Sequence, residues 1–176
     1  MPTTNRSTST TRSASATRTQ RTQRAATTRT AGSRNAKLHG VVKSINIQRF
    51  RAQGRTTFCN QAVHAIASKL GYRGFGGLVA NQMFKKMSAP GSGFRRVSAQ
   101  EAIALAKQGK LVIAAKYNNT PRAGRPDGKA PGHIAVVTGA FSAGVPGIAQ
   151  AGRKTFEWGP VTQGFGRTPP TYFVRN

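Results

Sequence analysis

The 176-residue sequence predicts an α+β domain behind a basic N-terminal tail, and three observations carry that prediction. Helical periodicities crowd into the first half of the folded part. Short β-branched runs crowd into the second half. Residues 1–37 contain no acid, no aromatic residue and no Leu, Ile or Val. A segment of Ser, Thr, Arg, Ala and Gln cannot bury enough apolar surface to offset its ordering entropy, so residues 1–37 are expected to be disordered and 38–176 to form the domain. No internal repeat is visible.

From Leu38 to Phe50 the near-alternation of Ile45, Ile47 and Arg49 with Asn46 and Gln48 suggests a short strand or docked arm. The next element is a helix. Val63, Ile66, Ala67 and Leu70 recur at helical spacing, Gly71 closes the run, and Thr56 and Thr57 are available as caps. Cys59, the chain's single cysteine, falls in or beside the first turn. The helix dipole and backbone N–H groups there favour a thiolate and a lowered thiol pKa, as a nucleophile requires. The alternative is a small buried apolar residue. His64, five positions on, lies roughly 140° around the helix and faces elsewhere. A second helix is expected over Leu78–Met87, with Asn81 and Gln82 either lining a groove or simply on its surface. Ser98-Ala99-Gln100-Glu101 is a capping box that opens a third helix, ended by Gly109, which gives Glu101 a local role.

Strands follow. Leu111–Tyr117 reads as a buried first strand. Asn118–Pro131 is a polar loop, a candidate rim of a cleft, and delivers His133 to the start of a β-branched run that continues through Val137. A histidine there is either structural or the general base for Cys59. A Cys at a helix start with a His on a later strand favours catalysis. Gly147–Ala151 and Thr171–Val174 are further strands, separated by a Gly/Pro-rich stretch bearing Phe156, Trp158 and Phe165.

Five stretches in order resemble the CHAP-type and NlpC-type cysteine amidases of bacterial cell walls, versions of which occur in phage lysins. They are Thr57–Val63, Ala80–Met83, Gly132–Val137, Ile148–Gly152 and Tyr172–Val174. The resemblance runs from about Arg55 to the end. It implies a papain-like fold with N-terminal helices packed on an antiparallel sheet. It also implies hydrolysis of an amide in peptidoglycan, either the muramoyl–alanine link or one within the stem peptide. Cys59 would attack, His133 would be the base, and a polar residue on the following strand would orient the imidazole. Gln150, seventeen positions past His133, stands where that residue is expected, with Glu157 as the runner-up. Gln53, six positions before Cys59, matches the spacing of the oxyanion-hole glutamine of papain-like proteases, or is a surface glutamine. Asn60, Gln53 and Trp158 are the candidate substrate-binding side chains.

Charge bounds the partners. Lys and Arg number 28 against 3 acids, a formal net charge of +25. Such a surplus implies a polyanionic partner: nucleic acid, held non-specifically through the tail, or teichoic acid, lipopolysaccharide or anionic lipid headgroups. The competing class is therefore a non-enzymatic, basic nucleic-acid-binding protein on an inactive amidase fold. The tail's arginines are evenly spread with no aromatic residue between them, which argues against sequence-specific reading. No cofactor or metal is expected, since one cysteine and three dispersed histidines offer no zinc-ligand spacing. One cysteine also excludes an intramolecular disulfide. No apolar run approaches the roughly 20 residues of a membrane span, and no secretory signal is recognised. The expectation is a monomer made in the host cytoplasm that reaches the wall after lysis, injection or virion delivery.

Overall fold

A computed structural model describes residues 32–176. The described residues form helices and a seven-stranded antiparallel sheet, with helices both before and between the longer strands. The expected disorder of residues 1–31 lies outside the described residues. Residues 33–37, expected in the tail, belong to the fold. Strand β1 (Ser33–Arg34) pairs with Ala140 and Gly139. Asn35 caps the next helix by accepting from the Leu38 N–H at 2.9 Å, and its Nδ2 donates to the Lys107 carbonyl at 2.7 Å.

The expected strand or arm over Leu38–Phe50 is instead helix α1 (Ala36–Ser44) followed by a short 3₁₀ helix (Ile47–Phe50). Leu38, Val41, Val42 and Ile45 have i, i+3, i+4, i+7 spacing, and Leu38, Val42 and Ile45 are buried. Helix α2 (Cys59–Lys69) begins at Cys59 itself. Phe58 is its N-cap, so neither Thr56 nor Thr57 caps it as expected. Gly71, at φ 87°, ends it in the left-handed region that glycine occupies without cost. Helix α3 (Ala80–Ser88) and helix α4 (Ala99–Lys107) occupy the expected places. Ser98 caps α4 by accepting from the Glu101 N–H at 3.1 Å, and the Glu101 carboxylate pairs with Arg95 at 2.7 Å.

The other strands are β2 (Phe94–Val97), β3 (Val112–Lys116), β4 (His133–Ser142), β5 (Val145–Gln150), β6 (Phe156–Pro160) and β7 (Thr171–Arg175). Their order is β2-β7-β3-β4-β5-β6, with β1 paired to β4. The Gly/Pro-rich stretch thus holds β6 and a short helix α5 (Val161–Phe165), neither of which was anticipated.

Alternation along β3, β4 and β7 explains their continuous apolar runs. Ile113, Ala115, Ile134, Val136 and Phe173 face one way and pack with α2 and α3. Val112, Ala114, Ala135, Val137, Tyr172 and Val174 face the other way and pack with α4 and α5. A strand buried on both faces needs apolar residues at every position. Helices therefore cover both faces of the sheet, rather than the first helices covering one.

Candidate functional site

The two core strands end where the chemistry-bearing residues collect. His133 is the first residue of β4, paired with Lys116 of β3, and Gln150 is the last residue of β5. Because β4 and β5 run antiparallel, the start of one lies beside the end of the other. His133 Nε2 and Gln150 Oε1 are 2.7 Å apart. The glutamine's own Nε2 donates to the Lys154 carbonyl at 2.9 Å, which turns its oxygen toward the imidazole. An oxygen can only accept here, so His133 Nε2 carries the proton and Nδ1 is left as a lone-pair base. Gly164 makes the arrangement possible, since a Cβ on it would overlap Gln150 Oε1. Phe165 of α5 covers the imidazole, with ring centroids 4.8 Å apart.

Helix α2 brings Cys59 to the same end of the sheet. The thiol lies against the backbone N–H of Ile134, the residue after His133, and against the N–H groups of Cys59 and Asn60. Those donors favour the thiolate, yet the thiol pKa is raised, because Cys59 is 5% exposed and burial outweighs them. The expected lowering by the helix start is thus overturned by desolvation. His133 moves the opposite way. Burial pushes its pKa below the ordinary histidine value, against the hydrogen bond to Gln150. Both shifts favour the neutral thiol and the neutral imidazole.

A recess beside Cys59 is lined by Thr57, Asn60, Asn81, Arg125, Asp127 and Gly132. A groove over His133 is lined by Thr57, Gln150, Arg153, Lys154 and Gln163. Thr57 borders both and so marks the divide between thiol and imidazole. The Asn118–Pro131 loop forms the rim, as its position in the sequence suggested. Its base is closed by Asn81, 1% exposed, which bonds the Asn118 N–H at 3.0 Å, the Asn118 carbonyl at 3.1 Å and the Ala130 carbonyl at 3.0 Å. Asn81 is a buried clamp that also borders the recess, not a helix-surface amide. Gly132 is required beside it, since a Cβ would overlap Asn81 Oδ1 and the Lys116 carbonyl. Burial works to raise the Asp127 pKa, but the Asn81 amide, the N–H groups of Lys129 and Asp127, and Arg125 together hold it below the usual carboxylate range.

The remaining candidates separate. Asn60 borders the Cys59 recess and a second recess against Phe50 and Phe75, but its Nδ2 is committed to the Leu78 carbonyl at 2.9 Å. Gln53 is exposed in a tight turn closed by reciprocal bonds with Thr56, both 3.0 Å, and borders neither recess. It is a surface glutamine. Trp158 lies toward the opposite end of the sheet, its ring 4.9 Å from Phe141 and covered by the Arg34 guanidinium at 4.7 Å. Packing accounts for it, not substrate. Glu157 borders neither recess; its charge works weakly against the burial, Arg34 and Lys43 that lower the His39 pKa.

Sequence reasoning missed the placement of Thr57, the burial of Asn81 and the role of Arg153 and Lys154 as groove walls. Only Thr57, two residues from the cysteine, carried a local signal. Among the described residues no three His, Cys, Asp or Glu side chains cluster, and no helix is long and apolar enough to cross a membrane. The sequence matches no protein-family model and no curated protein.

Proposed function

We propose that the chain is a cysteine amidase or peptidase of papain-like type that hydrolyses an amide bond in peptidoglycan, with Cys59 as nucleophile and His133 as general base. The observation that carries the reading is the 2.7 Å contact between Gln150 and His133 Nε2. It leaves Nδ1 unprotonated on an imidazole held beside the strand backbone that touches the cysteine. Nδ1 takes the thiol proton as Sγ bonds to the amide carbonyl carbon. The N–H groups of Cys59 and Asn60 at the helix start are the available donors for the oxyanion, a role that exposed Gln53 cannot fill. The proton then passes from His133 to the leaving amine, the C–N bond breaks, and an acyl thioester remains on Cys59. Water, deprotonated by the same nitrogen, attacks the thioester carbonyl and releases a carboxylic acid and the thiol. Peptidoglycan as substrate rests on the resemblance to wall amidases and on the net charge of +25, which suits an anionic envelope.

One observation favours the second reading, a nucleic-acid-binding protein on an inactive amidase fold. The thiol is nearly buried and its pKa is raised. A zymogram on purified bacterial cell walls separates the two. Clearing by the full chain is expected, together with its loss by several orders of magnitude in Cys59→Ala. Undiminished clearing by folded Cys59→Ala would overturn the mechanism. An intact protein that clears nothing yet retards DNA would favour the second reading.

A further inference from the structure

We propose that the groove over His133 is an anion subsite, in which Arg153 and Lys154 receive a carboxylate on the amine side of the scissile amide. The inference rests on the amide-hydrolysis reading for its direction. His133 must hand its proton to the leaving nitrogen, so the amine half of the substrate lies over His133 rather than over the Cys59 recess.

The walls of that half carry two cations and no acid. Lys116 adds a third positive charge in the adjoining recess against His133 and Phe165. The chain has three acids in all, and none of them lines the groove. Glu101 pairs with Arg95. Asp127 lies on the Cys59 side, where the Lys129 N–H and Arg125 attend it. Glu157 borders neither the groove nor the adjoining recess. Among the described residues no carboxylate forms an ion pair with Arg153 or Lys154.

The turn bearing these cations is also built. The Lys154 carbonyl accepts from Gln150 Nε2 at 2.9 Å, and the Gly152 N–H donates to Thr155 Oγ1 at 3.2 Å. The Ala52 N–H donates to the Gly152 carbonyl at 3.2 Å. The glutamine that sets the imidazole thus also holds the backbone from which the two cations project. An anion bound there is placed relative to the base, not merely attracted to a basic surface. The substrate class follows: an amide whose amine component is an amino acid or peptide with a carboxylate close to the scissile bond.

Cys59 itself supplies a probe that needs no turnover. Alkylation of the full chain by iodoacetate and by iodoacetamide is measured at low and high salt, and each rate is referred to a small neutral thiol in the same buffer. Iodoacetate is expected to be favoured several-fold over that reference at low salt and less so at high salt. The pair Arg153→Gln and Lys154→Gln, which leaves the Lys154 carbonyl in place, should remove most of the preference. Lys69→Gln, at the far end of α2, should leave it unchanged. An equal effect of Lys69→Gln would assign the preference to overall charge and overturn the subsite. So would a ratio at the reference value, or a thiol that neither reagent reaches. Cell walls whose carboxylates have been converted to amides should also be cleared several-fold more slowly by the native chain, and no more slowly by the double variant than intact walls are. An iodoacetate preference with no clearing of any wall would reject the hydrolase reading and leave the anion site standing. Clearing of both wall preparations at one rate, with no iodoacetate preference, would do the reverse.

Discussion

At the scale of single residues, the site turns on one amide. Gln150 is 4% exposed, and both ends of its side-chain amide are committed, the oxygen to His133 and the nitrogen to Lys154. Its replacement by alanine frees the imidazole to rotate and to exchange tautomers. The expected loss in kcat/KM is about tenfold to a hundredfold, or about 1.4–2.8 kcal/mol of transition-state stabilisation. Glu157→Ala should change it far less, because Gln150 and not Glu157 meets His133 Nε2. Gln150→Glu gives a sharper readout. A carboxylate beside the imidazole favours its protonated form and raises the His133 pKa from its present position below the ordinary value. Because a general base works only when neutral, the proposed role predicts that activity is then lost at higher pH as the solution is acidified. The comparison of kcat/KM for the two proteins between about pH 5 and 7 measures the shift. An unmoved acid limb would mean that Gln150 does not act on His133.

At the scale of elements, the cleft depends on how a polar loop is fastened to a helix. The rim loop enters from β3 and leaves into β4, and Asn81 of α3 bonds backbone groups at both of its ends. Substitution by leucine fills similar space but leaves those half-buried backbone groups without their partners, at up to about 1–3 kcal/mol for each. Denaturant unfolding of Asn81→Leu should show that loss. Amide exchange should rise across the rim loop first, since its base is released while the sheet stays paired. Asn60→Ala, which removes one bond to Leu78 from a half-buried side chain, should cost less. Equal losses would mean that the clamp adds nothing beyond an ordinary hydrogen bond.

At the scale of the molecule, the boundary between tail and domain is testable by truncation. Residues 1–31 contain Arg6, Arg12, Arg18, Arg21, Arg24 and Arg29 and no acid. Their removal should keep the melting temperature while weakening DNA binding and flattening its salt dependence, since fewer phosphates are neutralised. Removal of residues 1–37 should also lower the melting temperature by several degrees. It deletes β1, the Asn35 cap, worth about 1 kcal/mol, and the bond from Asn35 to Lys107. Calorimetry on the two truncated chains tests this, and identical melting would return the boundary to Leu38.

The sequence by itself determined the periodic elements and the order of the chemistry. Helix α2 and strands β3 and β4 follow from apolar spacing, because burial imposes a period that local residues must obey. A single cysteine at a helix start and a histidine at a strand start were equally legible, and the interval to Gln150 followed from the resemblance to wall amidases. Helix α1 was also encoded in Leu38, Val41, Val42 and Ile45, although the overlapping alternation of Ile45, Ile47 and Arg49 pointed to a strand. Tertiary structure decided what depends on neighbours distant in sequence. It set the thiol's pKa, since desolvation comes from the surrounding core and not from the helix start. It chose Gln150 over Glu157, because only β4–β5 pairing fixes which side chain reaches Nε2. It buried Asn81, whose partners are 37 and 49 residues away. It also removed Trp158 and Gln53 from the site, because no local pattern reports which end of a sheet a side chain occupies.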